Sequence, residues 1–223
     1  MKKIIYILVI FMMFINCKKQ NEEVKTIPNE SVCDYEIDNF IIKSKSNKKL
    51  DNIFLDYWLK MSKSEYEAYS KNYIKKDILK GQIDTLWIHF PNKTDSEYNQ
   101  FLEIKPTFEN DTLIGLTLYS PRKNKDYNHY GSLISKYGKP NSNLYCQFLH
   151  RAVWKFKNAI IEYTEPDTDV KPQIISYLDI EYAKKKSQDN LEFREKEEQK
   201  RILEERKTKD SIAKRKKIID NAL

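Results

Sequence analysis

Met61-Ser62-Lys63-Ser64-Glu65-Tyr66 is the stretch from which the fold of this chain is read. Ser62 with Glu65 three residues later forms a capping box. The serine hydroxyl accepts from the Glu65 backbone N–H, and the Glu65 carboxylate reaches back to the Ser62 N–H. Met61 and Tyr66 stand at the two positions of a hydrophobic staple. Tyr66, Tyr69, Tyr73 and Ile74 then recur at helical spacing, which predicts a helix running to about Leu79 and stopping at Gly81.

Downstream the period changes from 3.6 to 2. Leu86, Ile88 and Phe90 alternate with Trp87 and His89, and Leu102, Ile104 and Phe108 alternate with polar neighbours. Ile114, Leu116 and Leu118 do the same, so three strands are expected. Asn110-Asp111 separates the last two, and both residues tolerate positive φ, which predicts a tight hairpin. A second helix is signalled by Asp126, Tyr127, Tyr130, Leu133, Ile134 and Tyr137, closed by Gly138 and Pro140. Three more strands follow, over Ala152–Phe156, Ile160–Tyr163 and Ile174–Tyr182. Upstream, Asp34–Lys43 and Asn52–Lys60 also read as strands, being rich in Ile, Phe, Tyr and Trp.

The fold class is therefore α+β: two helices packed on an antiparallel sheet. The order helix–three strands occurs twice, with Trp87 and Trp154 in the first strand of each set, which raises a tandem duplication. The residues beyond the two tryptophans do not superpose, so the repetition is one of topology.

The start of the chain has a different character. Lys2 and Lys3 precede an uncharged run from Ile4 to Ile15, and Asn16-Cys17-Lys18-Lys19 opens the polar chain. Twelve helical residues reach roughly 18 Å, short of the about 30 Å of a bilayer core but within the range of a signal-peptide core. The arrangement resembles a bacterial lipoprotein signal peptide, which implies removal of residues 1–16, lipid on Cys17 and an outer-membrane place in the cell envelope. A cleaved secretory signal without lipid and an uncleaved anchor are the alternatives. Residues 17–34 read as a lipid-anchored linker. Lys18-Lys19 followed by Glu22-Glu23 resembles the surface-export signal of Bacteroidetes-type lipoproteins.

Charge separates the body from the ends. Residues 18–182 hold 24 basic and 24 acidic residues, whereas residues 183–223 hold 14 and 9. The formal +7 belongs to the two ends, so no basic folded face speaks for nucleic acid. Residues 183–223 form a charged helical extension without Gly or Pro, separate from a globular domain over residues 35–182. Glu192/Lys196, Glu197/Arg201, Glu205/Lys209 and Asp210/Lys214 are acid-first i,i+4 pairs. Leu191, Ile202 and Ala213 recur every eleven residues, too sparsely for a stable coiled coil. A free solvated helix, docking on a partner or second copy, and fraying all remain open. The basic end Lys214-Arg215-Lys216-Lys217 suits the helix dipole and an anionic surface.

Of three cysteines, Cys17 is the lipidation candidate, leaving Cys33 and Cys146 as an even pair in a compartment that permits disulfides. Either they are bridged, or two thiols are unpaired. No metal-ligand spacing, phosphate loop, nucleophile elbow or His-x-x-x-His pair occurs, and His89, His129 and His150 fall in separate segments. No catalytic residue, cofactor or small-molecule substrate is therefore assigned. Trp58, Trp87 and Tyr119 are candidates for binding if the strand faces are exposed.

Met61-Ser62-Lys63-Ser64-Glu65 and Tyr137-Gly138-Lys139-Pro140 with the Trp154 strand resemble the helix start and the Gly-x-Pro … Trp segment of SmpA/BamE-type outer-membrane lipoprotein domains. That resemblance implies short helices on a small antiparallel sheet and a protein-binding or assembly module without catalysis. The protein partner would meet the C-terminal helix or a sheet face. An inhibitor or immunity-type lipoprotein and a glycan-binding surface lipoprotein are the alternatives.

Overall fold

The computed structural model describes residues 30–90, 100–120, 128–167 and 172–220. The expected signal peptide, Cys17, the expected linker as far as residue 29, and Asp126 and Tyr127 lie outside the described residues. Four helices and one sheet make up the described part: α1 (Glu30–Lys43), α2 (Lys63–Lys75), β1 (Lys80–Gln82), β2 (Thr85–Phe90), β3 (Gln100–Glu109), β4 (Thr112–Ser120), α3 (His129–Tyr137), β5 (Ser142–Cys146), β6 (Leu149–Lys155), β7 (Ala159–Pro166), β8 (Gln173–Asp179) and α4 (Ile180–Asp220). The class is α+β.

The eight strands form one antiparallel sheet in the order β1-β2-β3-β4-β8-β7-β6-β5. Each half is a helix followed by a four-strand meander, and the last strands of the halves, β4 and β8, pair at the centre with Leu116 opposite Tyr177. Sequence alternation accounts for three strands in each half. It misses β1 and β5, the two edge strands, because an edge of three to five residues has too few buried positions to show a period.

Alternation gives the sheet two cores. One face contributes Leu86, Ile104, Leu116, Leu118, Trp154, Ile161 and Tyr163, packed with Tyr66 and Tyr73 of α2, Leu133 and Tyr137 of α3, and Leu50, Ile53, Tyr57 and Met61 from the segment between α1 and α2. The other face contributes Val153, Ile160 and Leu178, each next in chain to a residue of the first core. These meet Ile37 and Ile41 of α1 and Ile180 and Ala183 of α4.

Residues 34–43, expected as a strand, are helical, and the helix reaches back to Glu30, into the expected linker. Cys33, Ile37 and Ile41 are four apart and fully buried, so they form one helical stripe. In a strand, Tyr35 and Asn39 would share that buried face. The helix turns both away from it, leaving Tyr35 exposed and the Asn39 amide donating to the Tyr35 carbonyl at 3.0 Å.

Residues 52–60, also expected as a strand, are turns and irregular chain. Leu55 and Lys60 take φ values of 51° and 71°, which break any run of extended residues. Helix α2 ends at Lys75, not near Leu79, because Asp77 adopts φ 59° and frees Leu79 to drop into the core. Helix α4 begins at Ile180, so β8 is shorter than expected. Asp179 caps the helix, its Oδ1 accepting from the Glu181 and Tyr182 N–H groups at 3.1 and 3.4 Å.

Elsewhere the local expectations hold. The capping box is present, with the Ser62 hydroxyl accepting from Glu65 N–H at 3.2 Å and Glu65 Oε2 accepting from Ser62 N–H at 2.7 Å. Asn110 and Asp111 have φ 48° and 57° in the β3–β4 hairpin. Gly138 follows α3 with φ 84°. The start of α3 differs: Asn128 is its N-cap, accepting from Gly131 N–H at 2.7 Å.

Candidate functional site

Strand register assembles a polar row at one end of the sheet face that α3 covers. Tyr145 on β5 lies opposite His150 on β6, and His150 lies opposite Glu165 on β7. Gln173 on β8 completes the row, its Nε2 donating to Glu165 Oε1 at 3.0 Å. The Tyr145 and His150 rings stack with centroids 4.3 Å apart and planes at 4°. Tyr130, from the first turn of α3, meets His150 edge-on at 4.6 Å. Tyr145, His150, Glu165 and Tyr130 line an open cleft of about 440 Å³ together with Asn128, Gln147 and Asp167.

His150 Nε2 lies 2.7 Å from Asn143 Oδ1. Nδ1 faces Glu165 Oε2 at 3.7 Å. Burial holds the His150 pKa below its usual value, although the Glu165 carboxylate pulls the other way. His129 is lowered for the same reason, desolvation, again opposed by Glu165. The Tyr163 hydroxyl donates to Glu165 Oε2 at 2.9 Å, and burial raises it and Tyr130 above the ordinary tyrosine range. The cleft thus offers a neutral imidazole, a carboxylate and protonated phenols.

The disulfide lies beside this cleft. Cys33 of α1 is bridged to Cys146 of β5, with Cα atoms 6.3 Å apart. Large apolar side chains flank it along both bridged segments: Tyr145 is 63% exposed and Phe148 50%, while Val32 and Tyr35 on α1 are 42% and 52% exposed. All four lie within two residues of a bridged cysteine, so the bond holds them at the β5 edge of the sheet.

On the opposite sheet face, Trp87, Glu103 and Tyr119 stand directly opposite one another on β2, β3 and β4. Lys105 bridges this group, its Nζ 3.2 Å from Glu103 and 4.5 Å from the Tyr119 ring centre. The structure therefore brings Trp87 and Tyr119 together. Trp58 is elsewhere, edge-on to Tyr69 of α2 at 5.5 Å and packed against the first core.

Beside Cys33, charged side chains lock α1 and α4 to the sheet. Arg151 of β6 pairs with Asp34, and Arg194 of α4 pairs with Asp38 at 2.6 Å and Asp34 at 3.7 Å. The Lys155 ammonium, buried on the same face, donates to the Ile41 and Ser44 carbonyls at the end of α1. Burial lowers its pKa. Lys214 and Arg215 are exposed near the end of α4; Lys216 and Lys217 belong to the helix, and their side chains lie outside the described residues.

His150, Glu165, Tyr145 and Tyr130 carry no sequence signature as a group. They come from four elements, and only register and the placement of α3 unite them. Among the described residues no cluster of His, Cys, Asp and Glu is placed to hold a metal ion, and no helix is long and apolar enough to cross a membrane. Comparison with protein-family models, curated proteins and solved structures finds no match.

Proposed function

We propose that this chain is a non-enzymatic cell-envelope lipoprotein, anchored through lipid on Cys17, that acts as a protein-binding or assembly module. The observation that carries this reading is the aromatic edge at β5. Tyr145 and Phe148 are large and exposed, both lie within two residues of the bridged Cys146, and Tyr145 stacks on His150. Rigid exposed aromatic residues beside a polar cleft have the character of binding hot spots.

The likeness to SmpA/BamE-type domains and the tandem origin of the two halves belong to the same proposal. Two helix-plus-four-strand units meeting at β4 and β8 support the duplication. Trp154 Nε1 donates to the Gly138 carbonyl at 2.7 Å, which gives the Gly-x-Pro … Trp pattern a physical role in joining the end of α3 to β6.

The test is in-cell cross-linking of the full chain, comparing wild type with a Tyr145→Ala/Phe148→Ala double variant. The expected result is a discrete cross-linked partner that is lost in the variant at equal abundance. A partner pattern unchanged by the variant overturns the reading. The Trp87–Glu103–Tyr119 row favours a second reading, glycan binding, since two rings flank a carboxylate that accepts from sugar hydroxyls. A glycan array with a Trp87→Ala control tests it, and absence of any Trp87-dependent signal removes it.

A further inference from the structure

Helix α4 leaves the body after its first four turns. Ile180, Ala183 and Ser187 are buried, and Arg194 makes its ion pairs to α1, whereas every described residue from Glu195 to Arg215 is exposed. The acidic residues of this exposed part are partly committed to arginine: Arg201 pairs with Glu198 and Glu205, each at 2.6 Å, in place of the expected Glu197.

The lysines are arranged differently. Phe193, Lys196, Lys200, Leu203, Lys207, Ser211 and Lys214 follow one another at spacings of three or four, so they share one helix face. At 3.6 residues per turn this stripe lies roughly 140° around the helix from the side that carries Ala183, Ser187 and Arg194. It faces away from the body and contains no acidic residue. Among the described residues none of its four lysines makes an ion pair. Phe193 and Leu203 within it are 65% and 53% exposed. Over about 21 residues the stripe runs roughly 32 Å.

We propose that this stripe docks the distal part of α4 along an anionic phospholipid surface. Charge complementarity selects the occupant: four unpaired lysines in line present a long cationic edge, and Phe193 and Leu203 supply apolar contacts at headgroup depth. Lysine suits this role because its apolar stem lies along the interface while the ammonium meets phosphate. A nucleic acid would meet the same charge, and is an outcome of the test.

The experiment is hydrogen–deuterium exchange of the full chain reconstituted in vesicles of phosphatidylcholine alone or with about a third phosphatidylglycerol, since each lysine near such a surface contributes roughly five-fold to binding. Peptides covering 195–215 are expected to exchange several-fold more slowly in the anionic vesicles, with the difference lost in about 0.5 M salt, where the screening length is roughly 4 Å. A variant with Lys196, Lys200, Lys207 and Lys214 changed to Gln, which keeps helix propensity, should exchange alike in both vesicles. Equal exchange of the wild type in the two vesicles overturns the proposal. So does slowing that the variant retains, or slowing produced by a duplex oligonucleotide and not by anionic lipid.

Discussion

Breaking the Cys33–Cys146 bond should destabilise the body more than any single side-chain truncation. The cysteines are 113 residues apart, so the bond restricts a long loop of the unfolded chain. The loop-entropy relation gives about 4.8 kcal/mol for a loop of this size at 25 °C. For a body of this length that corresponds to a fall in Tm of roughly 10–20 °C. Both cysteines are buried, yet serine is nearly isosteric, so a Cys33→Ser/Cys146→Ser double variant loses chiefly the cross-link. Helix α1 would keep its Ile37 and Ile41 packing and its Asp34 and Asp38 ion pairs, so folding should persist in weaker form. Urea unfolding in detergent, followed by the fluorescence of the three tryptophans, reads the change. Wild type treated with reductant should match the variant. A loss under about 1 kcal/mol, or two reactive thiols from Cys33 and Cys146 in the denatured unreduced chain, refutes the reasoning.

Gly81→Ala and Gly138→Ala both place a side chain at positive φ, but a Cβ on Gly81 would stand 2.2 Å from the Thr85 carbonyl oxygen, whereas one on Gly138 meets nothing within 4 Å. Gly138→Ala should cost about 1 kcal/mol, and Gly81→Ala clearly more, by urea midpoint at constant m-value. His129 and His150 have depressed folded pKa values, so the stability they contribute is fully present above the unfolded value near 6.5 and is lost as pH falls through the folded values. Tm should therefore drop between about pH 7 and 5, and a His150→Gln variant should show a shallower drop; an identical slope would argue against it.

Much of the local structure was legible. The Ser62–Glu65 box, the Asn110-Asp111 turn and Gly138 are each decided by atoms within a few residues, and each appears where the sequence placed it. Alternation found six strands because each sets a buried residue of the first core at every second position, although β6, β7 and β8 also bury residues on the second face. The same signal misread residues 34–43. Ile37, Phe40, Ile41 and Ile42 satisfy β propensity, but Cys33, Ile37 and Ile41 as one stripe, with Asp34 and Asp38 beside it, fit a helix packed on the sheet. Propensity there yielded to tertiary packing.

The sequence by itself determined the Ser62–Glu65 cap, the Asn110-Asp111 turn, the stop at Gly138, most of the strands and the charged helix, since these depend on neighbours within one or two turns of chain. Tertiary structure alone decided that Cys33 meets Cys146, that Trp87 joins Tyr119 while Trp58 does not, and that Tyr145, His150 and Glu165 form one row. The physical reason is register: a shift of one residue between strands moves every side chain to the other face, and no local pattern encodes which residue of a distant strand stands opposite.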